Sequence, residues 1–160
     1  MSDAPLVLHP GSLKLPDLAD CRRRAFPLAL DPACDEVIAR SAETVARVVA
    51  EGRTVYGITT GFGSLARKTI SAGQVAELQT HLVLSHSCGV GAPLDDRVVR
   101  LILLLKINAL SRGHSGIRRE VIDRLIQLFN LELYPVIPAK GSVGASGDLA
   151  PLAHLSAVLL

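Results

Sequence analysis

The residues with the most chemical potential lie together between Lys140 and His154, in the string K-G-S-V-G-A-S-G-D-L-A-P-L-A-H. Gly141, Gly144 and Gly147 recur at every third position, with Ser142 and Ser146 between them. A backbone this poor in side chains can reach positive φ and approach itself or a ligand closely. A helix start follows at once. Asp148 is placed to cap it, Pro151 suits its first turn, and Leu149, Leu152, Ala153 and Leu155 supply an apolar face. The positive end of that helix would face Ala145, Ser146 and Gly147. Phosphate cradling does not fit, because Lys140 precedes the glycines and no Gly-Lys-Ser/Thr follows them. A serine-hydrolase elbow does not fit either, since Gly144-Ala145-Ser146-Gly147-Asp148 lacks the second glycine of G-x-S-x-G. On composition alone, a plain Gly-rich connection stays open.

The string G-S-V-G-A-S-G-D-L-A-P-L-A-H resembles the signature of the histidine, phenylalanine and tyrosine ammonia-lyases. The resemblance implies that Ala145, Ser146 and Gly147 cyclise into MIO (4-methylidene-imidazole-5-one), a prosthetic group made from the chain itself. The amide nitrogen of Gly147 would attack the Ala145 carbonyl carbon, and water loss would leave a methylene where Ser146 carried its hydroxyl. The residue types suit this. Gly147 permits the close approach, Ala145 is small, and Ser146 has a β-hydroxyl that can leave. N–H groups of the following helix would favour negative charge gained during attack. No diffusible cofactor and no metal is required by anything in the sequence.

Two further stretches carry side chains of interest. Y-G-I-T-T-G-F-G at 56–63 is a loop with three glycines and does not match G-x-G-x-x-G. Taken alone, Tyr56 beside such a loop reads as packing. The string resembles the tyrosine loop of the ammonia-lyases, which implies a catalytic acid/base role for Tyr56. Ser85-His86 stands at the end of an apolar helical stripe marked by Val75, Leu78 and Leu82. A histidine there can simply hydrogen-bond the last helix carbonyls. Ser-His is the pair found at the substrate-selectivity position of histidine lyases, and some aminomutases also carry it. It implies that Ser85 and His86 bind L-histidine, because an imidazole can exchange a hydrogen bond with a substrate imidazole.

Helices must position these groups. From Asp35 to Ala50, Val37, Ile38, Ser41, Val45, Val48 and Val49 fall near one face, and Gly52 ends the run. Gln74 to Ser87 is a second helix. Asp95 or Asp96 caps a third running to about Leu110, apolar on nearly all sides and therefore expected to be deeply buried. Its Arg100, Lys106 and Asn108 need partners. Ile117 to Asn130 is amphipathic. Tyr134 to Pro138 must be extended, because two prolines forbid helix. The short apolar pieces at 5–8 and 13–15 read as a small hairpin or edge strands, Leu28 to Leu30 as extended, and Thr54 to Tyr56 as β-prone. The expected fold class is mainly α with a few short strands and Gly-rich active-site loops. The resemblance makes it the N-terminal part of an elongated helical-bundle lyase.

Composition narrows the classes. The 160 residues are 49% apolar and 20% charged, which suits one packed core. Aromatics are 3% and the net charge is +2, with Arg22-Arg23-Arg24 the one dense basic run, so no nucleic-acid partner is expected. Cys21, Cys34 and Cys88 show no C-x-x-C spacing and read as reduced thiols. With no secretory signal evident at the N-terminus and no membrane span expected, the location reads as cytoplasmic. Leu155 to Leu160 keeps a helical apolar pattern without a stop signal. Residues 1–160 are therefore expected to be the N-terminal portion of a longer lyase, with no internal boundary.

The resemblance implies deamination of L-histidine to urocanate and ammonia by a cytoplasmic homotetramer. In that family, subunits share active sites, so the 160-residue chain alone is expected to be inactive. Two alternatives stand: a tyrosine or phenylalanine lyase or an aminomutase, and an inactive truncated relative serving as an assembly module.

Overall fold

The computed structural model describes residues 4–60, 72–144 and 147–160. Gly61, Phe62, Gly63, Ala145, Ser146 and the side chain of Val75 lie outside the described residues. The chain is mainly α, as its periodicity indicated.

β1 (Leu6–Leu8) pairs in parallel with β2 (Leu28–Leu30), Leu6 opposite Leu28 and Leu8 opposite Leu30, and α1 (Leu15–Arg23) is the crossover between them. This corrects the expected hairpin of 5–8 with 13–15. Pro16 fits a first helical turn, and the Asp17 carboxylate accepts the Lys14 N–H at 2.8 Å, so the chain turns into helix at Leu15. The partner of β1 is then found beyond α1, and two parallel strands require such a crossover. Asn130 locks β2 from the far side. Its amide accepts from the Leu28 N–H (2.7 Å) and donates to the Leu28 carbonyl (2.9 Å).

One 3-10 turn (Pro32–Cys34) leads into α2 (Asp35–Ala50), which Gly52 terminates at φ +62°. α3 (Ala72–His86), β3 (Val90–Pro93) and α4 (Asp96–Leu110) follow, the last capped by the Asp95 carboxylate accepting the Arg97 N–H at 2.8 Å. α5 (Arg119–Asn130), β4 (Pro138–Lys140) and α6 (Leu149–Ala157) complete the order. β3 and β4 form an antiparallel pair with Val90 opposite Lys140. Thr54 to Tyr56 lies in no strand: residues 56–59 are turn, with Gly57 at φ +75°.

α4 is the hub. Val99, Leu103, Leu104 and Ile107 are at most 1% exposed and pack in one core with Ile122, Leu125 and Phe129 of α5 and Cys21 of α1. Each such side chain contributes about 1.5–3 kcal/mol of transfer free energy. Burial is not complete all round, because Leu105 stays 44% exposed. Arg100 is buried and has its partners. Nε donates to the Cys21 carbonyl (2.7 Å), Nη2 to the Arg22 carbonyl (3.2 Å) and Nη1 to the Tyr134 hydroxyl (3.4 Å). The guanidinium thereby satisfies carbonyls at the negative end of α1. Asn108 accepts the Gly11 N–H at 2.9 Å. Among the described residues, no helix is long and apolar enough to cross a membrane.

Candidate active site

His86 is the last residue of α3, and α3 packs along α6, the helix that follows the Gly-rich loop. Leu82, Val83 and His86 from α3 face Leu149, Leu152, Ala153 and Ser156 from α6 across a groove of about 170 Å³. Its walls are mostly apolar. The Leu82 carbonyl accepts from both neighbours, Ser85 Oγ at 3.0 Å and His86 Nδ1 at 2.8 Å. A carbonyl only accepts, so the proton of a neutral His86 sits on Nδ1 and Nε2 keeps its lone pair. The Ser156 hydroxyl is committed to the Leu152 carbonyl at 2.8 Å. The groove thus sets an imidazole acceptor against hydrocarbon.

The loop preceding α6 is held at both stems. Ser142 Oγ donates to the Asp148 carboxylate, joining residues six apart. Asp148 was expected to cap α6 through its side chain. Instead its backbone is left-handed (φ +57°, ψ +47°), no side-chain cap bond forms, and its carbonyl accepts the Leu152 N–H at 3.2 Å. The carboxylate is drawn to Ser142, and two consecutive left-handed residues, Gly147 at φ +79° and Asp148, turn the chain sharply into the helix. Gly141 cannot carry a side chain without movement: a Cβ there would lie 3.1 Å from Gly89 Cα and 3.3 Å from Ala150 Cβ. A Cβ at Gly147 would meet nothing within 4 Å. Gly147 is exposed and left-handed, a conformation that glycine adopts without strain. The first-turn N–H groups of α6 lie just beyond it. Ala145 and Ser146 themselves lie outside the described residues.

Tyr56 sits in the turn after α2, 62% exposed, and is not among the groove-lining residues. Its turn is defined: Ile58 and Thr59 donate to the Val55 carbonyl (3.1 and 3.0 Å), and the Val55 N–H donates to Thr59 Oγ1 (2.9 Å). Thr59 and Thr60 are buried. Within the described residues the fold brings His86 to the helix that begins at the Gly loop, while Ser85, exposed and bonded to the Leu82 carbonyl, and Tyr56 do not line that groove. No group of three or more His, Cys, Asp or Glu able to hold a metal ion occurs among the described residues.

His154 is the side chain that sequence reasoning left without a role. Its Nε2 accepts the Gly89 N–H at 3.0 Å, tying α6 to the residue three places after His86. A signal was present in its spacing, four residues after Ala150, whose Cβ touches the Gly141 site.

A family model described as aromatic amino acid lyase matches residues 13–160. Over 155 residues the chain is 55% identical to a histidine ammonia-lyase of Vibrio cholerae, covering 97% of this chain and 30% of that protein. It is 57% identical to a histidine ammonia-lyase of an Enterobacter species, covering 97% of this chain and 31% of the relative. Among solved structures, ergothionase, an ergothioneine-degrading enzyme of Treponema denticola, superposes with a TM-score of 0.91 at 29% identity, over 96% of this chain and 31% of that one. The chain thus spans about a third of the length of the relatives it matches.

Proposed function

The chain belongs to the aromatic amino acid lyase family, and from that premise we propose that it is the N-terminal portion of a histidine ammonia-lyase. The reaction would release ammonia from L-histidine and leave urocanate. The observation that carries the reading is the placement of His86 in a groove against α6, the helix launched by the Ala145-Ser146-Gly147 loop. Identity of 55–57% to histidine ammonia-lyases supports histidine over the other aromatic amino acids.

In this reading Ala145, Ser146 and Gly147 hold the MIO group, which supplies an electrophilic methylene to the substrate. The chain's own residues do the rest. His86, with Nδ1 engaged by the Leu82 carbonyl, presents Nε2 to accept an N–H of the substrate imidazole. The hydrocarbon of Leu82, Leu149 and Leu152 excludes water, which strengthens that bond. The N-terminus of α6 favours negative charge near Gly147. The Tyr56 phenol removes or relays the substrate proton. Residues beyond this chain and from other subunits of a homotetramer complete the pocket, and the 160-residue chain alone makes no urocanate.

A related lyase or aminomutase is the second reading. The close superposition on ergothionase at 29% identity favours keeping it, since one backbone shape serves differently named enzymes. Comparing turnover of histidine, tyrosine and phenylalanine by the full-length protein separates the two. The central test is intact mass with urocanate absorbance. The full-length protein should weigh two waters less than its sequence, and Ser146→Ala should retain one or both waters and lose nearly all activity. Parent-level turnover by Ser146→Ala would refute the electrophile role.

A further inference from the structure

We infer that His154 is a positioning residue for ring closure: through Gly89 it pins both stems of the Gly141–Asp148 loop to one point. This rests on the function proposed above. The first stem is β4, which pairs with β3 at Val90, the residue after Gly89. The second stem is α6, joined to Gly89 by the 3.0 Å bond from its N–H to His154 Nε2. Gly89 is wedged where the stems meet. A Cβ on it would lie 3.1 Å from His154 Nε2, 3.2 Å from His154 Cδ2 and 3.3 Å from Pro138 Cβ, and its Cα is the atom nearest to a Cβ on Gly141. The α6 face bearing Ala150 and His154 is thus turned to this junction, while Leu149, Leu152, Ala153 and Ser156 line the groove with His86.

The chemistry explains why such a pin matters. A bond forms between the Gly147 nitrogen and the Ala145 carbonyl carbon. The carbonyl oxygen leaves as water with the N–H protons of Gly147 and Ser146. The Ser146 hydroxyl leaves with its Cα proton as a second water. No oxidant or reductant is needed. The barrier is closeness: two backbone atoms must reach near-bonding distance, and fixing the loop stems reduces the entropy lost in bringing them there. Gly89 follows His86 by three residues, so the same pin sets the height of the imidazole relative to the loop.

The test uses the full-length protein with His154→Phe, His154→Gln and Gly89→Ala, and Ile122→Val as a control for lost stability in the α5 core. Intact mass is followed with time after synthesis, beside the melting temperature. His154→Phe keeps the ring's bulk and removes the acceptor, while glutamine restores an acceptor oxygen near the Nε2 position. Gly89 is not in the left-handed region, so its alanine variant acts by crowding His154 on one stem and Pro138 on the other. His154→Phe and Gly89→Ala should slow the loss of two waters by about tenfold, and His154→Gln should recover to within about threefold of the parent. Ile122→Val should dehydrate like the parent. Parent-rate dehydration in His154→Phe, or a glutamine variant as slow as phenylalanine with a parental melting temperature, overturns the pin and leaves the lyase reading intact. A parent protein that keeps both waters overturns the ring itself, and this inference with it.

Discussion

Gly116→Ala is a sharp perturbation to read, because Gly52 supplies its control. Both glycines are left-handed, at φ +66° and +62°. A Cβ at Gly52 would meet nothing within 4 Å, whereas at Gly116 it would fall 2.2 Å from Val45 Cγ2 and 3.3 Å from Val45 Cβ. Left-handed backbone costs a residue with a Cβ about 1–2 kcal/mol. Alanine's smaller unfolded-state entropy offsets about 0.4–1 kcal/mol of this. Gly52→Ala should therefore destabilise by about 1 kcal/mol. Gly116→Ala adds an overpacking cost of about 1–3 kcal/mol, and it strains the bond from the Gly116 N–H to Ser41 Oγ at 2.9 Å. Its expected total is about 2–4 kcal/mol. Val45 and Ser41 line a surface groove with Ile58, two residues after Tyr56, so the displaced valine should also disturb the tyrosine turn. Urea unfolding of the full-length protein followed by circular dichroism gives the two shifts. Equal shifts for the two variants, within about 0.5 kcal/mol, would refute the steric reasoning.

His86→Leu should cost about 5–150-fold in kcat/KM for histidine, the equivalent of leaving one buried polar group unpaired, and should narrow the preference over phenylalanine. Steady-state assays with both substrates check this, and an unchanged preference would remove His86 from the selectivity role. The N–H of Ala33, and then the contact with His9, hold the Asp31 carboxyl below its ordinary pKa. A depressed folded pKa contributes stability above the unfolded value near 4, and that contribution is lost as pH falls through the folded value. Unfolding midpoints should therefore drop as pH is lowered from about 5 to about 3, and the gap between parent and Asp31→Asn should shrink over the same range. A constant gap would contradict the linkage.

Much of the helical frame was legible along the chain. α2 was readable from its apolar spacing and Gly52, and α4 from Asp95 and the run after Val98. α5 was readable throughout, its expected start at Ile117 lying two residues ahead of the observed Arg119. Those signals are local, because helix hydrogen bonds and caps join residues a few places apart. The chemistry-bearing string was legible for a related reason: ring closure needs three consecutive residues of particular types. It was the resemblance, more than spacing, that gave Tyr56, Ser85 and His86 their roles. α1 is not legible in the sequence because Pro16 reads as a break, whereas in the fold it sits in a first helical turn.

By itself, then, the sequence determined the longer helical segments, α1 excepted, and which three residues could close on one another, since both depend on near neighbours. Tertiary structure alone decided that β1 pairs with β2 across α1 and that Asn130 reaches back 102 residues to Leu28. It alone decided that His154 meets Gly89 across 65 residues, and that Asp148 gives its carboxylate to Ser142 in place of a helix cap. Contacts of that span are chosen by which surfaces bury one another, and no periodicity along the chain encodes the choice.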